Sequence, residues 1–205
     1  MATLFLTSIT ENVLDQLPTL INRQPKDTKI AFIPTAADTY EDKSFVDSDR
    51  AQWLEMKYDF TEVDLKNKDE GQLRSILVDQ DIIYFAGGNV FYLLQVANQC
   101  KLLNLLKEFL DQGKIFGGGS AGAVIAGPNI EPVKAVDDPS QAPDLFDYTA
   151  FGLVDFVVLP HYDYEKYNKK YQVILKQYNQ FHFQPLNNNE AIFVSGSEIK
   201  IIQQT

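Results

Sequence analysis

A glycine-rich segment with a single serine is the part of this 205-residue chain best suited to chemistry. Ser120 lies between Gly118 and Gly122, just after the apolar residues Ile115 and Phe116. This Gly-x-Ser-x-Gly pattern is typical of a nucleophile elbow, in which a strand turns sharply into a helix and presents a serine hydroxyl. Small flanking residues are needed because the turn is too tight for side chains. The pattern predicts that Ser120 is a nucleophile; the alternative is a glycine turn that binds phosphate.

A serine nucleophile needs a base, and the chain has two histidines. His161 follows the apolar run 156–159, at the kind of strand end where catalytic groups gather. We therefore expect His161 to be the base, with an ordinary surface histidine as the alternative. His182 stands between two phenylalanines and is expected to be packed among them.

An acid next to the base would hold the correct imidazole tautomer and stabilise the imidazolium that forms. Asp137 and Asp138 lie in the irregular segment between Ser120 and His161, and Asp163 follows His161 closely. The sequence does not decide among these three aspartates.

A second glycine turn, Gly87-Gly88-Asn89, follows the apolar run 82–85. The backbone N–H of Gly88 could join that of Ala121, the residue after Ser120, in an oxyanion hole. The alternative is a tight strand–helix turn that needs small residues, and both interpretations can hold together.

Short apolar runs alternate with helical patterns along the chain. Strands are expected at 3–7, 29–34, 61–65, 81–86, 114–117 and 156–159, with a closing hairpin at 191–194 and 199–202. Helices are expected at 12–21, 47–58, 71–78, 102–110 and 167–178, with another beginning near 90; 129–148 reads as loop. This alternation favours an α/β fold with a mostly parallel sheet covered on both faces, formed by one domain over residues 1–205.

Composition restricts the function classes. The formal net charge is −10 and the isoelectric point is near 4.6, which opposes nucleic-acid binding. No run approaches the roughly 20 apolar residues of a membrane span, and the first residues lack a signal-peptide pattern. The single cysteine, Cys100, excludes an internal disulfide and fits a reducing compartment. We therefore expect a cytoplasmic protein without a membrane or nucleic-acid partner.

Three motifs in this order resemble the peptidase E and cyanophycinase family of serine peptidases: the segments 87–94 (GGNVFYLL), 118–123 (GGSAGA) and 159–162 (LPHY). The segment 32–36 (FIPTA) also fits, and the resemblance runs from about residue 3 to residue 202. It implies a three-layer sandwich similar to class I glutamine amidotransferases, with a mostly parallel central sheet flanked by helices and serine in place of their cysteine.

The resemblance also implies roles for individual residues. Ser120 would be the nucleophile and His161 the general base, while Gly88 and Ala121 would donate to the oxyanion with Asn89 beside them. Asp137 is the best match to the family's acid; Asp138 and a Ser–His dyad remain open. We expect a dipeptidase-like enzyme that hydrolyses short peptides without a metal or organic cofactor, as a monomer or a homodimer.

Family members that cleave after an N-terminal aspartate hold its side chain with a basic residue. The segment after His161 contains Lys166, Lys169 and Lys170 but no arginine, and a lysine does not replace a bidentate guanidinium. The sequence therefore does not support aspartyl specificity. Two other functions stay open: an esterase or amidase of another α/β type, and a non-catalytic ligand-binding protein of the same fold.

Overall fold

A seven-stranded sheet forms the centre of the computed structural model, which describes residues 2–204. The strands are β1 (Thr3–Thr7), β2 (Lys29–Ile33), β3 (Asp59–Glu62), β4 (Ile82–Phe85), β5 (Ile115–Gly119), β8 (Glu190–Ser195) and β9 (Glu198–Gln203). Their order is β3-β2-β4-β5-β1-β8-β9. The first five are parallel to one another, and the β8–β9 hairpin adds antiparallel to β1.

Alternate side chains of the strands pack on opposite faces of this sheet, as the two-residue period of a strand requires. Ile83 and Phe85 join the hydrophobic core on one face, whereas Ile82 and Tyr84 join the core on the other. All four side chains are buried, which is why this run is almost wholly apolar. The mixed α/β fold with a helix-flanked central sheet is therefore confirmed.

Seven α-helices connect and cover the strands in residues 2–204. They are α1 (Leu17–Ile21), α2 (Ser44–Glu55), α3 (Glu70–Leu77), α4 (Val90–Gln99), α5 (Leu102–Asp111), α6 (Ala121–Val124) and α7 (Glu165–Gln177). The helix expected over 12–21 is broken into short 3-10 turns, and regular α-helix begins only at Leu17. Pro18 lies in the first turn of α1, where a missing N–H is tolerated.

A separate parallel pair of strands carries the segment before His161. It consists of β6 (Phe156–Leu159) and β7 (His182–Pro185). β7 was not predicted, because its residues lack the apolar alternation of a half-buried strand. His182 begins this strand and is exposed, so the expectation that it is packed is wrong, although its ring contacts Phe156 edge-on at 6.0 Å.

The carboxyl ends of parallel strands meet at one edge of the sheet. β1 leads there into Ser8, β4 into Gly87 and Gly88, and β5 into Ser120. The predicted site residues from distant parts of the chain are therefore brought to the same edge.

Candidate active site

Ser120 lies on a strained turn between β5 and α6. Its φ and ψ angles are 49° and −110°, a conformation that is costly for a residue with a side chain. A Cβ atom on Gly118 would lie 2.2 Å from the carbonyl oxygen of Gly122, and one on Gly122 would lie 2.0 Å from that of Phe85. Both positions therefore require glycine, and a bond from Ser120 N–H to the Thr7 carbonyl (3.0 Å) anchors the turn.

The Ser120 hydroxyl forms a hydrogen bond with the imidazole of His161. The distance from Ser120 Oγ to His161 Nε2 is 2.9 Å. His161 also has a positive φ of 56°, and its backbone N–H donates to Ser8 Oγ at 2.7 Å. Ser120 and His161 thus both adopt backbone conformations that are costly for a residue with a side chain. The surrounding structure holds them there, at the point where their side chains meet.

An amide, not a carboxylate, faces the other nitrogen of the imidazole. His161 Nδ1 lies 2.7 Å from Asn188 Oδ1. Since a carboxamide oxygen only accepts, this contact places the proton on Nδ1 and leaves Nε2 free to accept from Ser120. Ser8 Oγ also donates to Asn188 Oδ1 at 3.1 Å, which fixes the orientation of the amide.

Asp137 is not the group that orients His161, which corrects the sequence-based expectation. Its carboxylate accepts instead from the backbone N–H of Val90, at the first turn of α4, at 2.9 Å. A helix N-terminus with unsatisfied N–H groups attracts a carboxylate, and this attraction draws Asp137 towards α4. Burial raises the pKa of Asp137 to about 6.

The other two candidate acids also lack a direct bond to the imidazole. Asp138 is exposed and caps its own turn by accepting from Ser140 N–H at 2.9 Å. Asp163 accepts from the backbone N–H of Asn188 at 3.1 Å, and it acts on His161 only through its charge. Burial lowers the pKa of His161, against the smaller opposing effects of Asn188 and Asp163. The imidazole is therefore neutral, as a base must be, near neutral pH.

Gly88 and Ala121 line the same recess as Ser120 and His161. Ala121 is the first residue of α6, so its N–H has no acceptor within the helix. Gly88 has a φ of 141°, and a Cβ there would lie 2.2 Å from the Ala36 carbonyl, so glycine is required. Both positions fit the oxyanion donors that were predicted, and that role remains a proposal.

Asn89 lies behind the recess. It is 2% exposed, and its side chain accepts from Tyr92 N–H (2.9 Å) and donates to the Asp138 carbonyl (2.8 Å). Its backbone N–H donates to the Ala36 carbonyl at 2.8 Å. Asn89 thus caps α4 and ties the 137–138 loop to it, next to the proposed oxyanion donor Gly88.

A cleft of about 330 Å³ opens beside Ser120. It is lined by Ser8, Ile9, Thr10, Glu11, Tyr40, Phe45, Ser48, Asp49, Gly87, Gly88, Gly119, Ser120, Asp137, His161 and Tyr167. A hydrogen-bonded chain connects its wall to β4: Tyr84 Oη donates to Asp49 at 2.7 Å and lies 2.6 Å from Thr10 Oγ1. The volume suits a small ligand next to a reactive side chain.

Ser8, Asn188 and Asp49 were not found by sequence reasoning. Ser8 directly follows a buried parallel strand, a signal that would have found it. Asn188 lies in a turn of three asparagines. It was missed because only carboxylic acids were considered as partners of the imidazole. Asp49 sits within α2, where nothing in the sequence separates it from ordinary surface acids.

No group of three or more His, Cys, Asp or Glu side chains within residues 2–204 is arranged to hold a metal ion. Nor does any helix in the range combine the length and apolar character required to cross a bilayer.

The fold and site define an α/β protein with a serine–histidine pair at the carboxyl edge of its central sheet. The chain belongs to peptidase family S51, whose model matches residues 4–202, and it is therefore a peptidase. The predicted resemblance to peptidase E is confirmed by these comparisons.

Individual relatives are similar over almost the whole chain. An uncharacterised peptidase of Pasteurella multocida is 38% identical over 99% of this chain and 98% of its own length. One of Listeria monocytogenes is 34% identical over 97% of each chain. The crystal structure of a candidate peptidase E protein from Listeria monocytogenes matches with a TM-score of 0.93 and 32% identity over 100% of both chains.

Proposed function

We propose that this peptidase hydrolyses short peptides, in the manner of a dipeptidase, through an acyl-enzyme formed on Ser120. The observation that carries the proposal is the 2.9 Å contact between Ser120 Oγ and His161 Nε2 on a strained turn that faces a cleft. A neutral imidazole in this position can accept the hydroxyl proton as the oxygen attacks a carbonyl carbon.

The remaining steps follow from the neighbouring groups. The N–H groups of Gly88 and Ala121 stabilise the negative charge that develops on the carbonyl oxygen. His161 then donates its proton to the leaving amine, and a water activated by the same imidazole hydrolyses the ester. Asn188, held by Ser8, keeps the Nδ1 proton in place throughout this cycle.

Removal of the hydroxyl tests this mechanism. The Ser120→Ala variant is expected to fold normally and to lose hydrolysis of a panel of dipeptides by several orders of magnitude. A fluorophosphonate probe should label wild-type Ser120 and leave the variant unlabelled. Ser75→Ala, which removes an exposed hydroxyl on α3, serves as the control that retains full activity.

The two histidines provide a second matched pair. His161→Gln should abolish hydrolysis, whereas His182→Gln, which alters the exposed histidine of β7, should not. Undiminished hydrolysis by Ser120→Ala would refute the mechanism. Absence of both labelling and hydrolysis in the wild type would favour the non-catalytic ligand-binding function, and hydrolysis of simple aryl esters without any dipeptide would favour an esterase.

A further inference from the structure

In the described part of the chain, the cleft beside Ser120 is lined by acidic side chains without basic ones to balance their charge. Three carboxylic acids line it, Glu11, Asp49 and Asp137, and within residues 2–204 it is lined by no lysine or arginine. The lysines of α7 that follow His161 in sequence do not contribute to this lining. An N-terminal aspartate would therefore bring its carboxylate against three acids without a partner, which opposes aspartyl specificity.

The three acids are held in place by groups that donate hydrogen bonds without adding positive charge. Glu11 accepts from Ser48 Oγ, Asp49 from Tyr84 Oη at 2.7 Å, and Asp137 from Val90 N–H at 2.9 Å. None of the ion pairs found within residues 2–204 includes any of them. Glu11 is exposed, whereas Asp49 and Asp137 are partly buried. Carboxylates that are partly removed from water without an ion-pair partner gain most from a cation that a ligand supplies.

Two aromatic side chains at this cleft are an independent sign of ligand contact. Tyr40 and Phe45 line it and remain 41% and 40% exposed, with their rings edge to face at 5.6 Å. Exposed aromatic faces suit the aliphatic stem of a long cationic side chain and attract its charged end.

We propose that the cleft selects short peptides that carry a positively charged group close to the scissile bond. This refinement depends on the proposed peptidase function. An ammonium or guanidinium group would donate to the carboxylates of Asp49 and Asp137, with the stem of a long side chain lying against Tyr40 and Phe45. The group is either the side chain of the first residue or its α-ammonium, and the test separates the two.

The ionisation of these acids predicts a pH dependence. Burial raises the pKa of Asp49 to about 7 and that of Asp137 to about 6. The charged or titratable groups that interact with Asp49 are Glu11 and Tyr84, and those that interact with Asp137 are Lys170, Asp138, Tyr40 and Tyr171. Selectivity for a cation should thus rise between about pH 5.5 and about pH 8, as the carboxylates become charged.

Dipeptides that differ in one charge test the proposal. Norleucyl-alanine is the uncharged counterpart of lysyl-alanine, and aspartyl-alanine carries the opposite charge. At about pH 8, kcat/KM for lysyl-alanine should exceed that for norleucyl-alanine by roughly tenfold or more. The ratio should fall towards one in Asp49→Asn and Asp137→Asn, because an amide keeps the accepting oxygen and removes the charge. Asp59→Asn, at the amino end of β3 and the opposite sheet edge, should leave the ratio unchanged.

N-acetylated forms of the same peptides identify the source of the charge. A preference for acetyl-lysyl-alanine over acetyl-norleucyl-alanine assigns recognition to the side chain. If the free peptides show no lysine preference, yet acetylation abolishes hydrolysis and both Asp→Asn variants weaken it, the α-ammonium is the recognised group. Both results support the proposal.

Two results would overturn it. One is equal hydrolysis of all free and acetylated peptides by the wild type and the Asp→Asn variants. The other is faster cleavage of aspartyl-alanine than of lysyl-alanine by the wild type. Calorimetric binding of lysyl-alanine and norleucyl-alanine to Ser120→Ala keeps the question separate from catalysis. A tenfold preference for lysyl-alanine there would stand even if the wild type hydrolysed nothing. Equal affinities of the two free peptides, together with an equal affinity of acetyl-norleucyl-alanine, would reject the cation site.

Discussion

Asn188 occupies the position next to the base that sequence reasoning reserved for an aspartate. Its oxygen, 2.7 Å from His161 Nδ1, fixes the imidazole tautomer as well as a carboxylate would. It supplies no full negative charge, so it stabilises the imidazolium less strongly. With burial also acting against the charged form, the pKa of His161 lies below its usual value.

A carboxylate at position 188 should shift the pH profile of kcat/KM to higher pH. Hydrolysis requires neutral His161, so kcat/KM falls as the pH decreases through the pKa of this group. In Asn188→Asp a negative charge next to Nδ1 favours the imidazolium and raises that pKa. We expect the acidic limb of the profile to move up by about one pH unit.

The neighbouring asparagine provides the control for this prediction. Asn189→Asp adds the same charge at an exposed position that does not contact the imidazole, and it should leave the limb in place. An identical shift in both variants would show that the effect is long-range, and no shift in Asn188→Asp would contradict the assigned contact.

At the scale of elements, the site depends on how closely β4, β5 and α6 approach one another. The chain leaves β5, reverses at Ser120 and enters α6 against the end of β4, so that Gly122 contacts the Phe85 carbonyl. Because that carbonyl belongs to a buried central strand, it cannot move aside for an added methyl group.

Gly122→Ala should therefore destabilise the whole molecule as well as the turn. A Cβ atom 2.0 Å from the Phe85 oxygen forces backbone displacement, and we expect a loss of about 3 kcal/mol in the free energy of unfolding. Denaturant unfolding measures this loss. In the control Gly71→Ala on α3, the nearest atom would be 3.4 Å away, and helix propensity predicts equal or higher stability. Equal stability of the two variants would contradict the packing at the turn.

At the scale of the whole molecule, the net charge of −10 acts in the same direction as the acidic cleft. A negative surface around a negative cleft concentrates cationic ligands and repels anionic ones. This long-range field is screened by salt, whereas the contacts inside the cleft are screened much less.

Ionic strength should therefore distinguish charged from uncharged substrates. Raising sodium chloride from about 50 mM to about 500 mM should reduce kcat/KM for lysyl-alanine several-fold. Norleucyl-alanine, which carries no net charge at neutral pH, should be affected much less under identical conditions. Steady-state kinetics with both peptides measure the effect, and parallel salt curves would argue against electrostatic attraction.

Much of the architecture was accessible from the chain itself. The bounds of β1 and β6 were predicted to the residue, because short apolar runs ended by glycine, proline or polar residues mark buried strands clearly. The helix expected over 12–21 and the missing β7 show the limit, since short elements there are held by tertiary contacts more than by local pattern.

Local sequence indicated the Ser120 turn, since the clash that requires Gly118 is with Gly122, four residues further on, whereas Gly122 is required by its tertiary contact with Phe85. It also indicated which histidine stands at a strand end. Only the tertiary structure decided that Asn188 faces His161, that Asp137 turns towards α4, and that Glu11 and Asp49 share a cleft with Ser120. These contacts join segments that are far apart in the chain. Which polar groups meet there depends on how helices and loops pack around the edge of the sheet, and no local sequence pattern contains that information.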